Sequence, residues 1–386
     1  MRENNEVALT HADREWIEQR ARAVGFDSAG VTAVHEPDSA SAAENDRRYA
    51  EWVDAGYAGE MDYLKRSDDS GEYLRGDVRR SMPWARSVIV CAMNYNAAAP
   101  RSIDPADAKS GWIARYAWSG RGDDSGKGSD YHDVLLHELL ALESQLRERF
   151  GAEASMRSYV DTGPMAERAY AARAGVGWIG KNTCVLNQEQ GSWLLLGVIV
   201  TSLELEPEAW SVPAADRCGS CTRCIDACPT AALLEPTTGA GQMDATRCIA
   251  YLTIEKKGSI AEELRPLMGR QVFGCDICQD VCPWNRRAPV ATSNLLPARR
   301  ELINPALQWL AEMDGPRFNR VFRGSPLERT RRKRILRNVA IAMGNSGERD
   351  FLPQLDGWAA GDDAVLAEAA AWASNRLRQN SSGSED

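Results

Sequence analysis

The sequence contains no long apolar run and no export pattern, and both absences narrow the class of protein that it encodes. No hydrophobic stretch approaches the roughly 20 residues that a membrane-spanning helix needs. The start, MRENNEVALTHADREW, lacks the basic and then apolar segments of a secretory signal. We therefore expect a cytoplasmic protein that does not enter a membrane.

Positive charge is also scarce overall, since 46 Lys and Arg residues face 55 Asp and Glu residues and the net charge is −9. This balance argues against a protein that coats nucleic acid nonspecifically, although a local basic patch could still bind a folded RNA. At 386 residues, with 44% hydrophobic and 26% charged side chains, the chain is long enough for two or three domains with separate cores. A globular enzyme is the expected class.

Cysteine, in contrast, is abundant, with ten residues that we do not expect to form disulfides in a reducing compartment. Metal ligation or catalysis is then the default interpretation. One group has the x2, x2, x3 spacing and the terminal proline of a bacterial ferredoxin motif: Cys218, Cys221, Cys224 and Cys228, before Pro229. The second half of that motif is repeated by Cys275, Cys278 and Cys282 before Pro283, and we take Cys248 as its missing first member.

In this type of motif the fourth cysteine ligates the other cluster, so the spacing predicts two [4Fe–4S] clusters with crossed ligands. One cluster is expected on Cys218, Cys221, Cys224 and Cys282, and the other on Cys228, Cys248, Cys275 and Cys278. Two zinc sites are the alternative, but zinc sites do not need a Cys-Pro ending on both halves. Cys91 and Cys184 lie among apolar neighbours and are predicted to be buried, inert thiols.

Apolar periodicity predicts helices and strands in an α/β or α+β layer ahead of the cysteines. Helices are expected over 13–24 and 131–150, and strands over 27–34, 87–95 and within SWLLLGVIVTSLEL. The segment SYVDTGP reads as a strand that runs into a turn, with Pro164 in the first turn of a helix from Met165 to Ala174. Near the carboxyl end, ILRNVAIAM and AVLAEAAAWASNRL predict a helix pair of a small repeat module, before a disordered SSGSED tail.

Gly175, Gly177 and Gly180 form a literal G-x-G-x-x-G, which indicates a dinucleotide site when it follows a strand and opens a helix. Here the motif follows a predicted helix and leads through Lys181 and Asn182 towards a strand. Because this context is inverted, we expect no dinucleotide site. The glycines are expected either to let the backbone approach a large flat ligand or to form a turn.

Three separated motifs together resemble one known family. They are VDTGPMAERAYAARAGVGWIGKNTC, the two ferredoxin-type motifs, and GSPLERTRRKRILRNVAIAMGNSG. In this order they look like epoxyqueuosine reductases, and the likeness spans nearly the whole chain from GEMDYLKR onwards. The resemblance implies reduction of epoxyqueuosine to queuosine at the wobble position of tRNA, the last step of queuosine biosynthesis, with cobalamin and two [4Fe–4S] clusters as cofactors.

The resemblance also implies an α+β architecture of three parts. A nitroreductase-like, cobalamin-binding catalytic domain is expected over 1–206, and a ferredoxin-like domain with two [4Fe–4S] clusters over 207–295. A HEAT-like helical module is expected over 296–378, followed by a disordered tail over 379–386.

Removal of an epoxide oxygen needs two electrons and protons, whereas a cluster delivers one electron at a time and a cobalt corrin can collect both. An acid must protonate the departing oxygen. By resemblance this acid is Asp161, whose pKa would have to be raised by burial against the corrin. Without the resemblance, Asp161 reads as a turn former before Pro164.

The family pattern also implies a set of cobalamin contacts. Asp276 and Ile277 lie between two cluster ligands, where contact with the corrin would shorten the electron path. Arg75 could instead be one of several solvated arginines, and Val185 a core residue. The implied contacts are Arg75, Asp161, Val185, Asp276 and Ile277.

A basic run that begins at Arg329 opens the carboxyl-terminal helices, and we interpret it as a phosphate-binding patch for tRNA and not only a solvated face. Two lysines between Cys248 and Cys275 extend it. The RNA-binding residues expected are Lys256, Lys257, Arg331, Arg332, Lys333, Arg334 and Arg337.

The segment GRGDDSGKGS, from Gly120 to Ser129, departs from the family pattern, which joins the flanking segments by a short turn. It could decorate the surface or alter the substrate mouth. We expect a monomer that receives electrons from an external one-electron donor. The alternative function is that of a reductive-dehalogenase-like cobalamin and iron–sulfur reductase of a small molecule, although such enzymes are normally exported or membrane-associated.

Overall fold

The computed structural model describes residues 8–34, 40–120, 130–235 and 241–379. Its strands in these ranges are β1 (Ala8–Leu9), β2 (Ser28–Ala33), β3 (Ser87–Asn94), β4 (Trp112–Ile113), β5 (Met156–Tyr159), β6 (Trp178–Ile179), β7 (Val185–Leu186), β8 (Leu194–Thr201), β9 (Glu204–Leu205), β10 (Leu233–Leu234), β11 (Gln242–Met243) and β12 (Gln271–Phe273). Its helices are α1 (His11–Ala23), α2 (Ala40–Asp54), α3 (Tyr131–Phe150), α4 (Glu167–Arg173), α5 (Arg223–Asp226), α6 (Ile249–Ile254), α7 (Ile277–Asp280), α8 (Leu307–Ala311), α9 (Gly315–Phe322), α10 (Pro326–Ser346), α11 (Leu352–Ala359) and α12 (Ala364–Gln379).

Two of the expected irregular segments fall mainly outside these ranges. Only Gly120 of the GRGDDSGKGS insert is described, and the SSGSED tail is not. Helix α12 includes Gln379, the first residue that the sequence assigned to the tail. Among the described helices, none combines the length and the hydropathy that a membrane crossing requires.

A four-stranded antiparallel sheet in the order β2-β3-β8-β5 forms the centre of the amino-terminal part. All eight residues of β3 are buried, because both faces of this central strand are covered. Alternate residues serve the two faces. Ile89, Cys91 and Met93 join the core with α1 and α3, whereas Val88, Val90 and Ala92 join the core with α4.

The ends of two helices show how local sequence sets the fold. Thr10 and Asp13 form a reciprocal capping box at the start of α1, which satisfies backbone N–H groups there. Helix α4 begins at Glu167, so the prediction that Pro164 occupies its first turn is wrong. The chain instead turns at Asp161, which has a left-handed φ of +56°, and remains irregular until Ala166.

The cysteine-rich segment and the carboxyl-terminal helices share one hydrophobic core. This core includes Ile249 and Phe273 from the cysteine-rich segment, and Val339 and Leu377 from α10 and α12. Strand β12 also pairs in parallel with β4, which ties the segment to the amino-terminal part. Both predicted carboxyl-terminal helices are present in α10 and α12, and α11 lies between them.

Candidate active site and iron–sulfur centre

The first predicted set of cysteines gathers around the short helix α5. Cys282 is buried and lies in one apolar cluster with Trp178 and Leu186, against which Cys218 also packs. Burial raises the pKa of Cys224 to about 11, and the nearby thiols of Cys282 and Cys218 contribute to this increase. The structure therefore brings Cys282 to the first motif across more than 50 residues of chain.

The second set gathers between α6 and α7. Burial raises the pKa of Cys275 well above its usual range, and the neighbouring thiols of Cys248 and Cys228 raise it further. Cys278 lies close to Cys275 and Cys248. Cys228 is thus placed with the second motif and Cys282 with the first, in the crossed arrangement that the spacing predicts.

These thiols, of which Cys282 is buried and the other seven are half-buried, fit iron–sulfur clusters chemically. Burial disfavours a thiolate unless a cation compensates its charge, and iron in a cluster supplies that charge. Among the described residues, no three His, Cys, Asp or Glu side chains converge as the ligands of one metal ion do. A single zinc ion holds each thiolate about 2.3 Å from one point, whereas a four-iron cluster offers each thiolate its own iron.

The two remaining cysteines have different surroundings. Cys91 is completely buried in β3 and its pKa is raised by burial alone, as expected of an inert thiol. Cys184 lies beside the thiol of Cys278, so the expectation of purely apolar neighbours is wrong for this residue. It therefore contacts the second ligand set.

Asp161 lies two residues beyond β5, at the start of a turn, and its side chain is half-exposed. Its positive φ is a conformation that Asp tolerates better than most residues. Arg75 fixes this turn, because its guanidinium donates to the carbonyl of Asp161 at 3.3 Å and to that of Met165 at 3.2 Å. In the protein alone, Asp161 lacks the burial that the sequence-based mechanism assigns to it.

Helix α3 supplies a polar network to Asp161. The hydroxyl of Tyr131 donates a hydrogen bond to the Asp161 carboxylate. His132 Nδ1 lies 2.7 Å from Asp130, and His132 Nε2 lies 3.0 Å from the guanidinium of Arg329. Because Arg329 can only donate, its contact assigns the ring proton of a neutral His132 to Nδ1, which faces Asp130.

Glu167, in the first turn of α4, is the other carboxyl group of this site. Its Oε1 atom is buried and has no hydrogen-bond partner among the described residues. Burial, reinforced by the negative charge of Asp161 beside it, raises the pKa of Glu167 to about 8. Glu167 therefore carries a proton at neutral pH, in a site where its neighbour Asp161 faces outwards.

The other expected cobalamin contacts have distinct positions. Val185 is buried in β7 and contributes to the core with α4. Asp276 is buried, and its carboxylate accepts the backbone N–H of Arg115 at 2.6 Å. Ile277 is half-buried at the start of α7 and packs against the carboxyl-terminal core. The side chain of Asp276 is thus already engaged by the protein.

The glycine motif packs against protein. A Cβ at Gly177 would lie 2.3 Å from the Leu186 carbonyl oxygen, and one at Gly175 would lie 2.5 Å from that of Val212. The motif follows α4, contains β6 and leads through Lys181 and Asn182 to β7, which confirms the inverted context. These two close approaches explain the glycines, so they provide no separate evidence for a flat ligand.

Two family models match the two parts of the site, the segment that contains Asp161 and the cysteine-rich segment. Residues 75–162 match the family model described as "Epoxyqueuosine reductase QueG, DUF1730". Residues 217–285 match the "4Fe-4S double cluster binding domain". The epoxyqueuosine reductase of Escherichia coli K12 is 36% identical over 361 residues, which cover 92% of this chain and 87% of that protein.

The chain belongs to the epoxyqueuosine reductase family. The family's protein from Synechocystis is 38% identical over 313 residues, or 80% of this chain and 98% of that protein. A crystal structure of epoxyqueuosine reductase with a modified tRNA-Tyr stem loop has a TM-score of 0.79 and 30% identity, covering 94% of this chain and 89% of that one. The structure from Streptococcus thermophilus gives 0.77 and 27%, covering 95% and 90%.

In this member of the epoxyqueuosine reductase family, part of the predicted RNA patch is structural. Arg337 is 1% exposed, and its guanidinium donates to the carbonyls of Leu252, Lys256 and Gly258. The prediction that Arg337 binds RNA is wrong, because a buried guanidinium cannot reach phosphate. Arg334 is half-buried and donates to the carbonyl of Ile254 at 2.6 Å.

The remaining basic residues are more accessible. Lys333 has an 83% exposed side chain and an ion pair with Asp363 at 3.1 Å. Arg331 and Lys257 are exposed, and Arg331 interrupts α10 with a φ of +59°. Lys256 pairs with Glu60, and Arg332 donates to the Met313 carbonyl. The accessible patch is therefore centred on Lys257, Arg331 and Lys333.

Sequence reasoning missed the neighbours of Asp161 in this epoxyqueuosine reductase family member. Tyr131 and His132 open a helix whose periodicity reads as core packing, and Glu167 reads as a favourable acid in a first helical turn. The available signal was position, since Tyr131 and His132 closely follow the GRGDDSGKGS insert and Glu167 lies within VDTGPMAER. Cys184 had no spacing that connects it to the ligand cysteines.

Proposed function

We propose that this protein reduces epoxyqueuosine to queuosine in the anticodon loop of tRNA, in the cytoplasm. The observation that carries the proposal is the joining of an acid site to the cysteine sets. Arg168, next to Glu167, donates to the carbonyl of Thr183 at 2.6 Å, and Cys184, the following residue, lies beside Cys278. A proton source and an electron source thus meet in one place.

The two cysteine sets would hold two [4Fe–4S] clusters. The first would use Cys218, Cys221, Cys224 and Cys282, and the second Cys228, Cys248, Cys275 and Cys278. An external one-electron donor would reduce them in turn. The second set lies on the side of the active site, since Phe273, two residues before Cys275, contacts the ring of Tyr116, and Tyr116 contacts the ring of Tyr131.

Cobalamin would bind between the second cysteine set and Asp161. The amide Nδ2 of Asn182 and the indole Nε1 of Trp178 are buried and find no hydrogen-bond acceptor in the described part of the chain. Trp178 lies in β6, which pairs with the strand of Val185, and Asn182 lies three residues before Val185. The rim of a corrin carries amide carbonyls that could accept from both donors. Bound there, cobalamin would supply a two-electron reductant at the epoxide.

Asp161 would donate the proton that the departing oxygen requires. Arg75 holds its backbone, and Tyr131 orients its carboxylate, so that the outward-facing oxygen meets the substrate. Substrate and corrin would bury this half-exposed group and favour its protonated form.

The carboxyl-terminal helices would support the tRNA as a HEAT-like module. Support comes from the exposed Lys257, Arg331 and Lys333, and from Arg329, which connects α10 to His132 in the active site. One related structure contains an epoxyqueuosine-modified stem loop. RNA bound along α10 would therefore place its loop near Asp161.

The deciding experiment is anaerobic turnover of epoxyqueuosine-containing tRNA by the reconstituted protein, with and without cobalamin. We expect queuosine, measured by nucleoside mass spectrometry, only when cobalamin is present. A protein that holds both clusters and the corrin but forms no queuosine would reject the proposal. Turnover of aryl halides by that same protein would favour dehalogenase-like chemistry.

A further inference from the structure

The proposed reaction needs two protons, whereas Asp161 can supply one at a time. Conversion of an epoxide to an alkene breaks two C–O bonds and releases the oxygen as water. The balance is epoxide plus two electrons plus two protons, giving alkene plus water. The electrons come from the external one-electron donor, so the second proton must come from a further acid or from solvent.

We propose that Glu167 stores the second proton and returns it to Asp161 within one turnover. This inference rests on the proposed function. The carboxyl group of Glu167 lies beside that of Asp161, and its Oε1 atom is buried without a partner among the described residues. An ionised carboxylate in that position would be strongly disfavoured, both by desolvation and by the charge of Asp161.

The other groups around Asp161 do not fit this role. The hydroxyl of Tyr131 donates a hydrogen bond to Asp161, and burial keeps the pKa of Tyr131 well above its usual range. Tyr131 therefore stabilises the Asp161 carboxylate but keeps its own proton. His132 turns its Nδ1 towards Asp130 and its Nε2 towards Arg329, and this Nε2 lies 3.6 Å from Asp161, beyond hydrogen-bond distance. Neither group can reload Asp161 directly.

The charged groups that face Glu167 are Asp161, Arg75 and Arg168. Both arginines favour the ionised form of Glu167, but each donates to backbone carbonyls, Arg75 in the Asp161 turn and Arg168 at Thr183. Burial and Asp161 outweigh them, since the pKa of Glu167 is raised to about 8. Glu167 is thus protonated when turnover starts.

The proton sequence follows from this arrangement. Asp161 gives its proton to the epoxide oxygen as the first C–O bond breaks, and becomes a carboxylate. The charge on Asp161 holds the stored proton on Glu167 until the second C–O bond breaks. The departing hydroxide, a far stronger base than either carboxylate, then takes a proton from Asp161 as Asp161 takes the proton of Glu167, and the oxygen leaves as water. Glu167 acts only through Asp161 and is a positioning residue, not a catalytic one.

The test is single-turnover reduction of modified tRNA by the pre-reduced holoenzyme, measured across pH. For the wild type, the rate should fall as the pH rises through about 8, because Glu167 then loses its proton. Glu167→Gln should be about tenfold slower or more and should lose this alkaline limb. Glu167→Asp keeps a carboxyl group and should recover the limb, while Glu148→Gln, on the exposed surface of α3, should behave as the wild type.

Infrared difference spectroscopy adds a measurement that does not depend on turnover. A carboxylic acid band should be present at neutral pH, disappear on titration through about pH 8, and be missing from Glu167→Gln. Absence of that band in the wild type overturns the inference, as does a Glu167→Gln enzyme that is slow yet keeps its alkaline limb. A wild type that forms no queuosine at any pH would instead reject the proposed function.

Discussion

At the scale of single residues, Asp161 combines an unusual backbone conformation with a half-exposed carboxyl group. A left-handed φ costs most side chains about 1–2 kcal/mol, and Arg75 compensates by bonding to the two carbonyls of the turn. The hydrogen bond from the Tyr131 hydroxyl then fixes the orientation of the Asp161 carboxylate. Backbone and side chain of this residue are therefore both held before substrate arrives.

Asp161→Asn should abolish turnover while leaving the fold intact. Asn is as tolerant of a left-handed φ as Asp, but its amide cannot donate the required proton. We expect queuosine formation to fall at least about 100-fold, with iron content unchanged. Substantial activity of this variant in the mass-spectrometric assay would show that another group protonates the oxygen.

Cys278 and Cys184 form a matched pair for testing the ligand set, because their thiols are adjacent. Cys278→Ala should lose one cluster, or about four of eight iron atoms. Cys184→Ala should retain both clusters. Iron analysis and electron paramagnetic resonance of anaerobically reconstituted protein measure both outcomes, and the reverse pattern would transfer the ligand role to Cys184.

At the scale of elements, helix α10 is a structural support for the cysteine-rich segment. Asn338 Nδ2 donates to the carbonyls of Thr253 and Val272 at 2.8 Å each, and the adjacent Arg337 donates to three further carbonyls of the same segment. The acceptors on Thr253 and Val272 belong to fully buried residues, so the donors of Asn338 matter most. Polar residues of α10 thus position the chain between Cys248 and Cys275.

Asn338→Ala should destabilise the protein by about 2–4 kcal/mol, because it leaves buried carbonyl groups without donors. Lys333→Ala, on the exposed side of the same helix, should change the free energy of unfolding by less than about 0.5 kcal/mol. Urea unfolding followed by circular dichroism compares the two. Equal effects would mean that the Asn338 bonds contribute little to stability.

Element by element, the sequence predicts best where one periodic signal dominates. Strand β3 and helix α3 match their predicted ranges within a residue, since their apolar patterns are unbroken. The start of α4 was misplaced because Asp161 and Arg75, distant in sequence, hold the turn before it. The prediction for Arg337 failed because local charge density carries no information about burial. Glu167 was missed because its neighbour Asp161 reaches it only through the turn that Arg75 holds.

At the scale of the whole molecule, an acidic chain carries a small accessible basic patch beside its active site. Lys257 and Lys333 belong to neighbouring surfaces, because α10 packs on the loop that contains Lys257. The whole chain has a net charge of −9, so its surface away from the patch would repel RNA. Binding should therefore be directed to this patch and should depend strongly on salt.

The double variant Lys257→Ala and Lys333→Ala should weaken tRNA binding and flatten its salt dependence. Each lost phosphate contact should reduce the slope of log K against log salt by about one unit. A double variant of the exposed Arg22 and Arg157, which lie away from α10, provides the charge-matched control. If both double variants bind tRNA alike in fluorescence titrations, the patch is not the RNA surface.

The shared core of the cysteine-rich segment and the carboxyl-terminal helices has a consequence for how the protein is made. Synthesis proceeds from the amino end, so all eight predicted ligands leave the ribosome before Asn338 does. Until then, the carbonyls of Thr253 and Val272 lack the donor that fixes them around Cys275. Iron delivered during translation would meet a full complement of thiols but an unfinished scaffold, so stable loading of the second set must await the completed chain.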